Sequence, residues 1–222
     1  MSNPHSSPQP HSGLGSGSEL WLARHGEVHA DWQGQEYGAL DVPLGEPGRL
    51  QSERLAAALA RLEPAHVLSS HLQRAEHMGR SLAQAVGLEL EVDPRLGEID
   101  RGDWSGRRVE ELHGEFADQV RAFYADPWSW RGHGGENDSM LAQRIWPAIE
   151  AGLGRAAGGR LVVTSHYNVV RVLVSTALGI PSVSSFNLRL DAAHLVVLKD
   201  GPGGWELLYS NLHEPPAGHF VH

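Results

Sequence analysis

Short apolar runs alternate with helical patterns along the chain, and this alternation limits the fold more than any other feature. After each of the first three apolar runs comes a segment whose apolar residues recur at helical spacing. Ser70 and Gln73 predict a capping box at the start of the second helix. The strand and helix order predicts a three-layer α/β/α fold around a mostly parallel central sheet. The predicted strands are Leu20–Ala23, Ala65–Ser69, Leu161–Ser165, His194–Lys199 and Trp205–Tyr209.

The charge of the chain restricts its partners. The 222 residues carry a formal net charge of −9 at pH 7, which argues against binding nucleic acid or an anionic membrane by bulk attraction. No apolar run approaches the roughly 18 residues that span a bilayer, and the N-terminus lacks the layout of a signal peptide. A cytoplasmic protein is therefore expected, in which any anionic ligand must be bound locally.

Three of the predicted strands end in cationic or imidazole side chains. Arg24 and His25 follow the first strand, Arg74 lies in the first turn of the helix after the second, and His166 follows the third. In open α/β sheets ligands bind outside the carboxyl ends of the strands, where helix N-termini direct their free N–H groups. These four side chains are therefore expected to converge on an anion, and phosphate is the obvious candidate.

The same cations indicate how an imidazole can react at this place. Positive charge and partial burial both disfavour protonation of His25, so its pKa is predicted to be lowered and its ring neutral. A neutral imidazole that faces a phosphoryl group is a nucleophile, and Arg24, Arg74 and His166 can neutralise the equatorial oxygens without a metal. The leaving oxygen needs a proton, for which Glu98 in a Gly-rich stretch is the candidate general acid.

Six motifs resemble those of the histidine phosphatase superfamily, also called the phosphoglycerate-mutase-like superfamily. The resemblance extends from about Leu20 to Tyr209 and implies the α/β fold predicted above. The motifs are RHGE at 24–27, YGALDVPL at 37–44, SSHLQRA at 69–75, EIDRGDWSG at 98–106, GGEN at 134–137 and TSHYNVVR at 164–171.

The resemblance implies a role for each candidate residue. His25 would become the phosphohistidine intermediate and Glu98 would be the proton donor, with His166 as a further catalytic residue. Arg24, Arg74 and His166 would bind the phosphoryl group. These are the roles that the strand-end pattern indicates independently.

Two positions depart from the family pattern. The family often has an asparagine six residues after the nucleophilic histidine, where this chain has Asp31, whose carboxylate would repel phosphate unless it points away or is protonated. The residue after the second histidine is usually glycine, and here it is Tyr167. Both departures affect the expected substrate more than the expected chemistry.

The spacing of the motifs favours one branch of the superfamily. His166 follows Glu98 by 68 positions, whereas the cofactor-dependent phosphoglycerate mutases that the chain resembles have a considerably longer segment there. The predicted function is a metal-independent phosphomonoester hydrolase that acts on a small phosphorylated metabolite and needs no cofactor. Two alternatives stay open: a phosphoglycerate mutase, and a phospholigand-binding protein without turnover. A homodimer is consistent with the resemblance.

The ends of the chain and one internal segment differ from the core pattern. Residues 1–18 have almost nothing to bury and are expected to be a disordered tail, while the domain spans 19–212 and a loose tail follows at 213–222. Residues 94–159 read as a small, mainly helical insertion over the active site. Its aromatic residues form either core or a wall over the phosphate pocket: Phe123, Tyr124, Trp128 and Trp130.

Fourteen histidines raise the question of metal binding. His213, Glu214, His219 and His222 cluster near the C-terminus, but Pro215 and Pro216 favour a loose chain there. Nothing in this cluster has the spacing of a rigid pair of ligands on one helix. No metal site is predicted.

Overall fold

One six-stranded sheet organises the protein. The computed structural model describes residue 11 and residues 17–219, so most of the tail expected at 1–18 lies outside the described residues. The strand order is β3-β2-β4-β1-β5-β6, and β5 alone runs against the other five. This confirms the α/β class with a mostly parallel sheet. The strands are Glu19–Arg24 (β1), His66–Ser69 (β2), Leu90–Val92 (β3), Arg160–Ser165 (β4), Leu195–Gly201 (β5) and Gly204–Leu212 (β6).

Helices cover both faces of the sheet. Alternate residues of β1 face opposite sides: Leu20 and Leu22 pack into a core cluster with α5 and α6, whereas Trp21 and Ala23 pack with α1 and α2. None of the helices in the described part of the chain is long and apolar enough to cross a membrane. The helices are Glu46–Ala60 (α1), Gln73–Val86 (α2), Val109–Glu115 (α3), Ala117–Ala125 (α4), Asp138–Ala156 (α5), Tyr167–Leu178 (α6) and Ser182–Ser185 (α7).

The segment expected as an insertion, 94–159, has two structurally different parts. Helix α5 packs on the sheet and belongs to one of its two helical layers. Residues 94–137 hold α3, α4 and two short 3-10 turns. They surround a small core of their own, formed by Trp104, Leu112, Val120 and Phe123.

The pairing of β1 with β4 brings two of the strand ends side by side. Arg24 pairs with Ser165 in register, and the amide of His25 donates to the Ser165 carbonyl at 3.1 Å. His25 and His166 are therefore the next residues after this pair, one at the end of each of two neighbouring strands. On the other side of β4, the amide of Ser70 donates to the Thr164 carbonyl at 3.0 Å, so β2 ends at the same edge.

The start of α2 differs from the predicted capping box, and that prediction was wrong. The helix begins at Gln73, so Ser70 lies too early in the chain to cap it. The Gln73 amide donates instead to Oδ1 of Asp41 at 2.8 Å, from a loop 32 residues away. Ser70 Oγ accepts from the Leu72 amide at 3.2 Å, and its hydroxyl is available to the site described below.

Described residues near both ends of the chain contact the core. His11 stacks on Trp146 with their ring centroids 3.7 Å apart. After β6, His219 lies edge-on to Trp21 and to Tyr209, at 5.6 and 5.4 Å between centroids. His11 lies before the predicted domain at 19–212 and His219 lies after it, so residues beyond both predicted boundaries contact the folded unit.

Two glycines allow α1 to approach the turn that follows β1. A Cβ atom on Gly26 would lie 2.1 Å from the carbonyl oxygen of Gly48, and one on Gly48 would lie 1.9 Å from the carbonyl oxygen of Glu27. These neighbours are backbone atoms and cannot rotate away. The first turn of α1 therefore packs directly on the backbone that carries His25.

Gly48→Ala is expected to lower the free energy of unfolding by about 1–3 kcal/mol, because the added methyl group overpacks this backbone contact. Gly154→Ala in α5 is the control, since nothing lies within 4 Å of its added Cβ and alanine is the better helix former. Urea denaturation measures both. A Gly48→Ala protein as stable as the wild type would show that the contact is not tight.

Candidate active site

The four side chains predicted from the strand ends lie together at the carboxyl edge of the sheet. The rings of His25 and His166 are almost completely buried, with their centroids 5.2 Å apart. Arg24 and Arg74 lie close enough that their charges act on the pKa of His25. The convergence that the strand pattern predicted is therefore present in the fold.

Neutral groups hold both arginines in place. Nη1 of Arg24 donates to the Leu190 carbonyl at 2.7 Å, and Arg74 donates to the carbonyls of Leu40 and Gly38, each at 2.7 Å. Among the described residues, Nε of each arginine is buried and has no hydrogen-bond partner. Because carbonyl oxygens fix the guanidinium groups without cancelling their charge, each arginine keeps a donor for an anion.

Tyrosine rings cover the two guanidinium groups. The carbon of the Arg74 guanidinium lies 5.1 Å from the ring centroid of Tyr37, and that of Arg24 lies 5.4 Å from the ring of Tyr167. Both distances are within the range of cation–π attraction. Tyr167, which departs from the family pattern, therefore stabilises the position of Arg24.

Asp31 is the other position that departs from the family pattern, and its carboxylate does not repel an anion at the buried histidines. The side chain of Asp31 is 82% exposed, and one of its carboxylate oxygens lies 3.2 Å from Nδ1 of His29. Its carboxylate therefore points away from the buried histidines, which is one of the two arrangements expected from the sequence.

A backbone contact fixes which nitrogen of the neutral His25 ring carries the proton. Its Nδ1 lies 2.7 Å from the carbonyl oxygen of Gly26. A carbonyl can only accept, so the neutral ring carries its proton on Nδ1 and leaves the lone pair on Nε2. The nitrogen that is free to attack is therefore Nε2.

Ser70 fixes the orientation of the second histidine. Nε2 of His166 lies 2.8 Å from Ser70 Oγ, which already accepts from the Leu72 amide. The hydroxyl can donate its one proton to Nε2, which leaves the ring proton of His166 on Nδ1. That nitrogen is buried without a hydrogen-bond partner among the described residues, and in this tautomer it is a third donor without a partner, beside Arg24 and Arg74.

Both imidazoles are held neutral. Burial lowers the pKa of His25 well below its usual value, and the charges of Arg74 and Arg24 lower it further. Burial also lowers the pKa of His166 well below the usual value, with Arg74 as the next cause. The lowered pKa that was predicted for His25 is confirmed.

Glu98 is the carboxylate that reaches this cluster. It is buried, and its two oxygens accept from the backbone amides of Ile99 at 2.8 Å and Asn168 at 3.3 Å. Asn168 lies two residues after His166, so this bond ties the carboxylate to the second histidine segment. The neighbouring acidic residues point elsewhere: Asp100 and Asp103 are exposed, and Glu136 pairs with Arg144.

Arg144 holds the loop that carries Glu98. From helix α5, its guanidinium donates to the carbonyls of Arg95, Gly97 and Glu98 at 2.6 to 3.1 Å. The carboxylate of Glu136 accepts two further bonds from it at 2.7 and 2.8 Å. The GGEN motif therefore acts through Glu136, which fixes the arginine that positions the loop.

Several of these residues lie outside the set that the sequence indicated. The YGALDVPL motif pointed to its own loop but gave no role to Tyr37 or to the carbonyls that bind Arg74. Ser70 read as a helix cap rather than a partner of His166. Arg144 had no signal at all, because its partners are backbone carbonyls 46 to 49 positions away.

A cavity of about 390 Å³ lies beside the cluster. Tyr167 and Asn168 belong to its wall, and they also contact Arg24 and Glu98. Phe123 and Tyr124 line it as well, whereas Trp130 packs against the small core and Trp128 against the main one. Two of the four aromatic residues in question thus form a wall, and Phe123 is also core.

Comparison with known proteins identifies the class. Residues 20–213 match the model of the histidine phosphatase superfamily, branch 1, so the chain belongs to this superfamily. This confirms the predicted family and its enzyme class, the phosphatases of that superfamily.

The similar proteins are named either as probable phosphoglycerate mutases or as phosphatases. The probable phosphoglycerate mutases GpmB of Enterobacter sp. (strain 638) and Salmonella paratyphi C (strain RKS4594) are each 31% identical over 172 residues, covering 78% of this chain and 80% of theirs. A mycobacterial glucosyl-3-phosphoglycerate phosphatase solved with VO3 is 27% identical, with a TM-score of 0.79 over 87% of this chain and 98% of that one. The α-ribazole phosphatase of Shigella flexneri is 27% identical, with a TM-score of 0.75 over 90% and 98%.

Both buried imidazoles are expected to stay neutral at pH 6, because burial and the nearby arginines lower their pKa values. Nitrogen-15 NMR of labelled histidines measures this directly. Removing one positive charge with Arg74→Gln should raise the pKa of His25, although burial remains. Titration of either ring near pH 6.5 in the wild-type protein would contradict the electrostatic account.

Proposed function

We propose that this protein is a metal-independent phosphomonoester hydrolase that works through a phosphohistidine at His25. The observation that carries the proposal is a set of three buried nitrogen donors that have no hydrogen-bond partner in the described part of the chain and lie around a neutral imidazole with a free lone pair. The donors are Nε of Arg24, Nε of Arg74 and Nδ1 of His166. Such a pocket neutralises the equatorial oxygens of a phosphoryl group and leaves the axial direction to the nucleophile.

The first half of the reaction forms the phosphoenzyme. Nε2 of His25 attacks phosphorus, a P–N bond forms, and the bond from phosphorus to the ester oxygen breaks. The carboxyl group of Glu98 gives its proton to that oxygen, so the alcohol leaves uncharged. The two arginines and His166 hold the phosphoryl oxygens during the transfer.

The second half returns the free enzyme. A water molecule attacks phosphorus on the side opposite His25, while the carboxylate of Glu98 takes one of its protons. The P–N bond breaks, inorganic phosphate forms, and Glu98 is again protonated for the next cycle. Two guanidinium groups supply the positive charge that metal ions supply in other phosphoryl-transfer sites.

A phosphoglycerate mutase is the second candidate. The probable phosphoglycerate mutases among the relatives support it. A mutase requires the phosphohistidine to return its phosphoryl group to a bound intermediate rather than to water. Hydrolysis is favoured by the 68-position spacing of Glu98 and His166 and by the names of the solved phosphatases with similar folds.

A binding protein without turnover is the third candidate, and two observations weigh against it. It was motivated by Asp31 and Tyr167. The carboxylate of Asp31 points to solvent and the Tyr167 ring covers Arg24, so neither departure removes a catalytic group.

The wild-type protein is expected to release inorganic phosphate in EDTA from a panel of esters, and His25→Ala is expected to lose at least about 10³-fold of that activity because the substitution removes the attacking nitrogen. The panel contains p-nitrophenyl phosphate, 3-phosphoglycerate, nucleotide and sugar phosphates and α-ribazole phosphate. Conversion of 3-phosphoglycerate to its 2-isomer without net phosphate release would make the protein a mutase. Binding of vanadate with no turnover of any ester would make it a binding protein.

Arg144→Met is expected to slow hydrolysis of alkyl phosphates much more than that of p-nitrophenyl phosphate. The substitution frees the loop of Glu98, and only a poor leaving group depends strongly on a well-placed proton donor. Arg155→Met on the same helix is the matched control, because Arg155 is half exposed and pairs with Glu91. An equal loss for both classes of ester would show that Arg144 acts on stability rather than through Glu98.

A further inference from the structure

Arg101 is a buried cation that the proposed reaction does not use. Its residue is only 4% exposed, yet among the residues that the structure describes Nε and Nη1 have no hydrogen-bond partner. Nη2 donates to Oδ1 of Asn168 at 3.2 Å, an oxygen that also accepts from Arg171. Burial of a guanidinium group with unpaired donors is costly unless an acceptor completes its hydrogen bonds.

The surroundings of Arg101 fix its position without using these donors. The guanidinium carbon lies 4.8 Å from the ring centroid of Phe123. Oε1 of Glu36 is 3.8 Å from Nε, which is longer than a hydrogen bond. Glu36 is also a weak counter-ion, because burial raises its pKa despite the opposing effect of Arg101. Glu36 approaches on the Nε side, so Nη1 keeps no acceptor among the residues that the structure describes.

Arg101 lines the same 390 Å³ cavity that borders the phosphoryl site. The other walls are mainly aromatic and aliphatic, among them Phe123, Tyr124 and Phe186. The polar residues in its wall besides Arg101 are Glu36, His113 and Asn168. A volume of this size fits a small ring, and mostly apolar walls with a few polar groups are typical of ligand pockets. Tyr167 and Asn168 connect the cavity to Arg24 and Glu98, so a phosphate ester bound at the histidines would place its body here.

We propose that Arg101 binds a carboxylate on the substrate, which makes the preferred substrates phosphate monoesters with a ring-sized apolar body and a second, carboxylate end. This inference rests on the proposed function, because it assumes that the phosphoryl group lies beside His25. Arginine is suited to the role, since its planar charged fork pairs with carboxylates. The aromatic walls contact the body, and Arg101 selects among bodies by charge.

Two non-hydrolysable ligands of matched shape test the proposal: 4-carboxybenzylphosphonate and its neutral isostere 4-carbamoylbenzylphosphonate. Isothermal titration calorimetry is expected to give the carboxylate at least about tenfold tighter binding to the wild-type protein, the effect of one charge-assisted hydrogen bond. Arg101→Met should abolish the preference and Arg101→Lys should keep part of it. Arg121→Met, on the exposed face of α4, should leave it unchanged.

Equal binding of the two ligands to the wild-type protein would overturn the proposal, and this comparison does not require any variant to fold. A preference that persists in a folded Arg101→Met protein would also overturn it. Hydrolysis of p-nitrophenyl phosphate by the same preparation reports on the proposed function separately. If that ester is hydrolysed but the carboxylate is not preferred, the role of Arg101 fails while the phosphatase function stands.

Discussion

The parallel pairing of β1 with β4 is the constraint on which the site depends. The two strands end in register at Arg24 and Ser165, so the next residue of each is a histidine. Backbone hydrogen bonds continue past the pair through the amide of His25. A slip of one residue would turn these side chains to the opposite face of the sheet. The distance between the two imidazoles is therefore set by the sheet itself and not by a flexible loop.

The charges of the two arginines affect the protonation of the two imidazoles. Two guanidinium groups are held next to two imidazoles in a buried place, and carbonyl oxygens and tyrosine rings stabilise the guanidinium groups while leaving their charge intact. The imidazoles respond by staying neutral. Burial of donors without acceptors is costly to the free protein, and it favours binding of an anion, because a phosphoryl group would supply acceptors to these donors.

The parts of the fold that the sequence predicted are those with local signals. Runs of apolar residues indicated five strands, and the residues at their ends indicated Arg24, His25, Arg74 and His166. Strand β3 was missed because three residues, Leu90–Val92, are too short to show a period.

Long-range contacts explain the other misses. The α2 helix is capped by Asp41 from 32 positions away, and Arg144 binds carbonyls 46 to 49 positions away. The sequence around either partner of such a hydrogen bond has no pattern of residue types that would reveal it. The two nitrogens of Arg101 that lack a partner among the described residues likewise cannot be recognised until the cavity walls are folded around them.

The central claim is that Nε2 of His25 carries the phosphoryl group during turnover. The most direct measurement is rapid mixing with a phosphorus-32-labelled ester followed by quenching in alkali, in which phosphohistidine is stable, and peptide mapping of the label. Label is expected on the peptide that contains His25, and it should form at least as fast as phosphate is released. Rapid turnover with no label on the protein would contradict it, because water would then attack the ester directly.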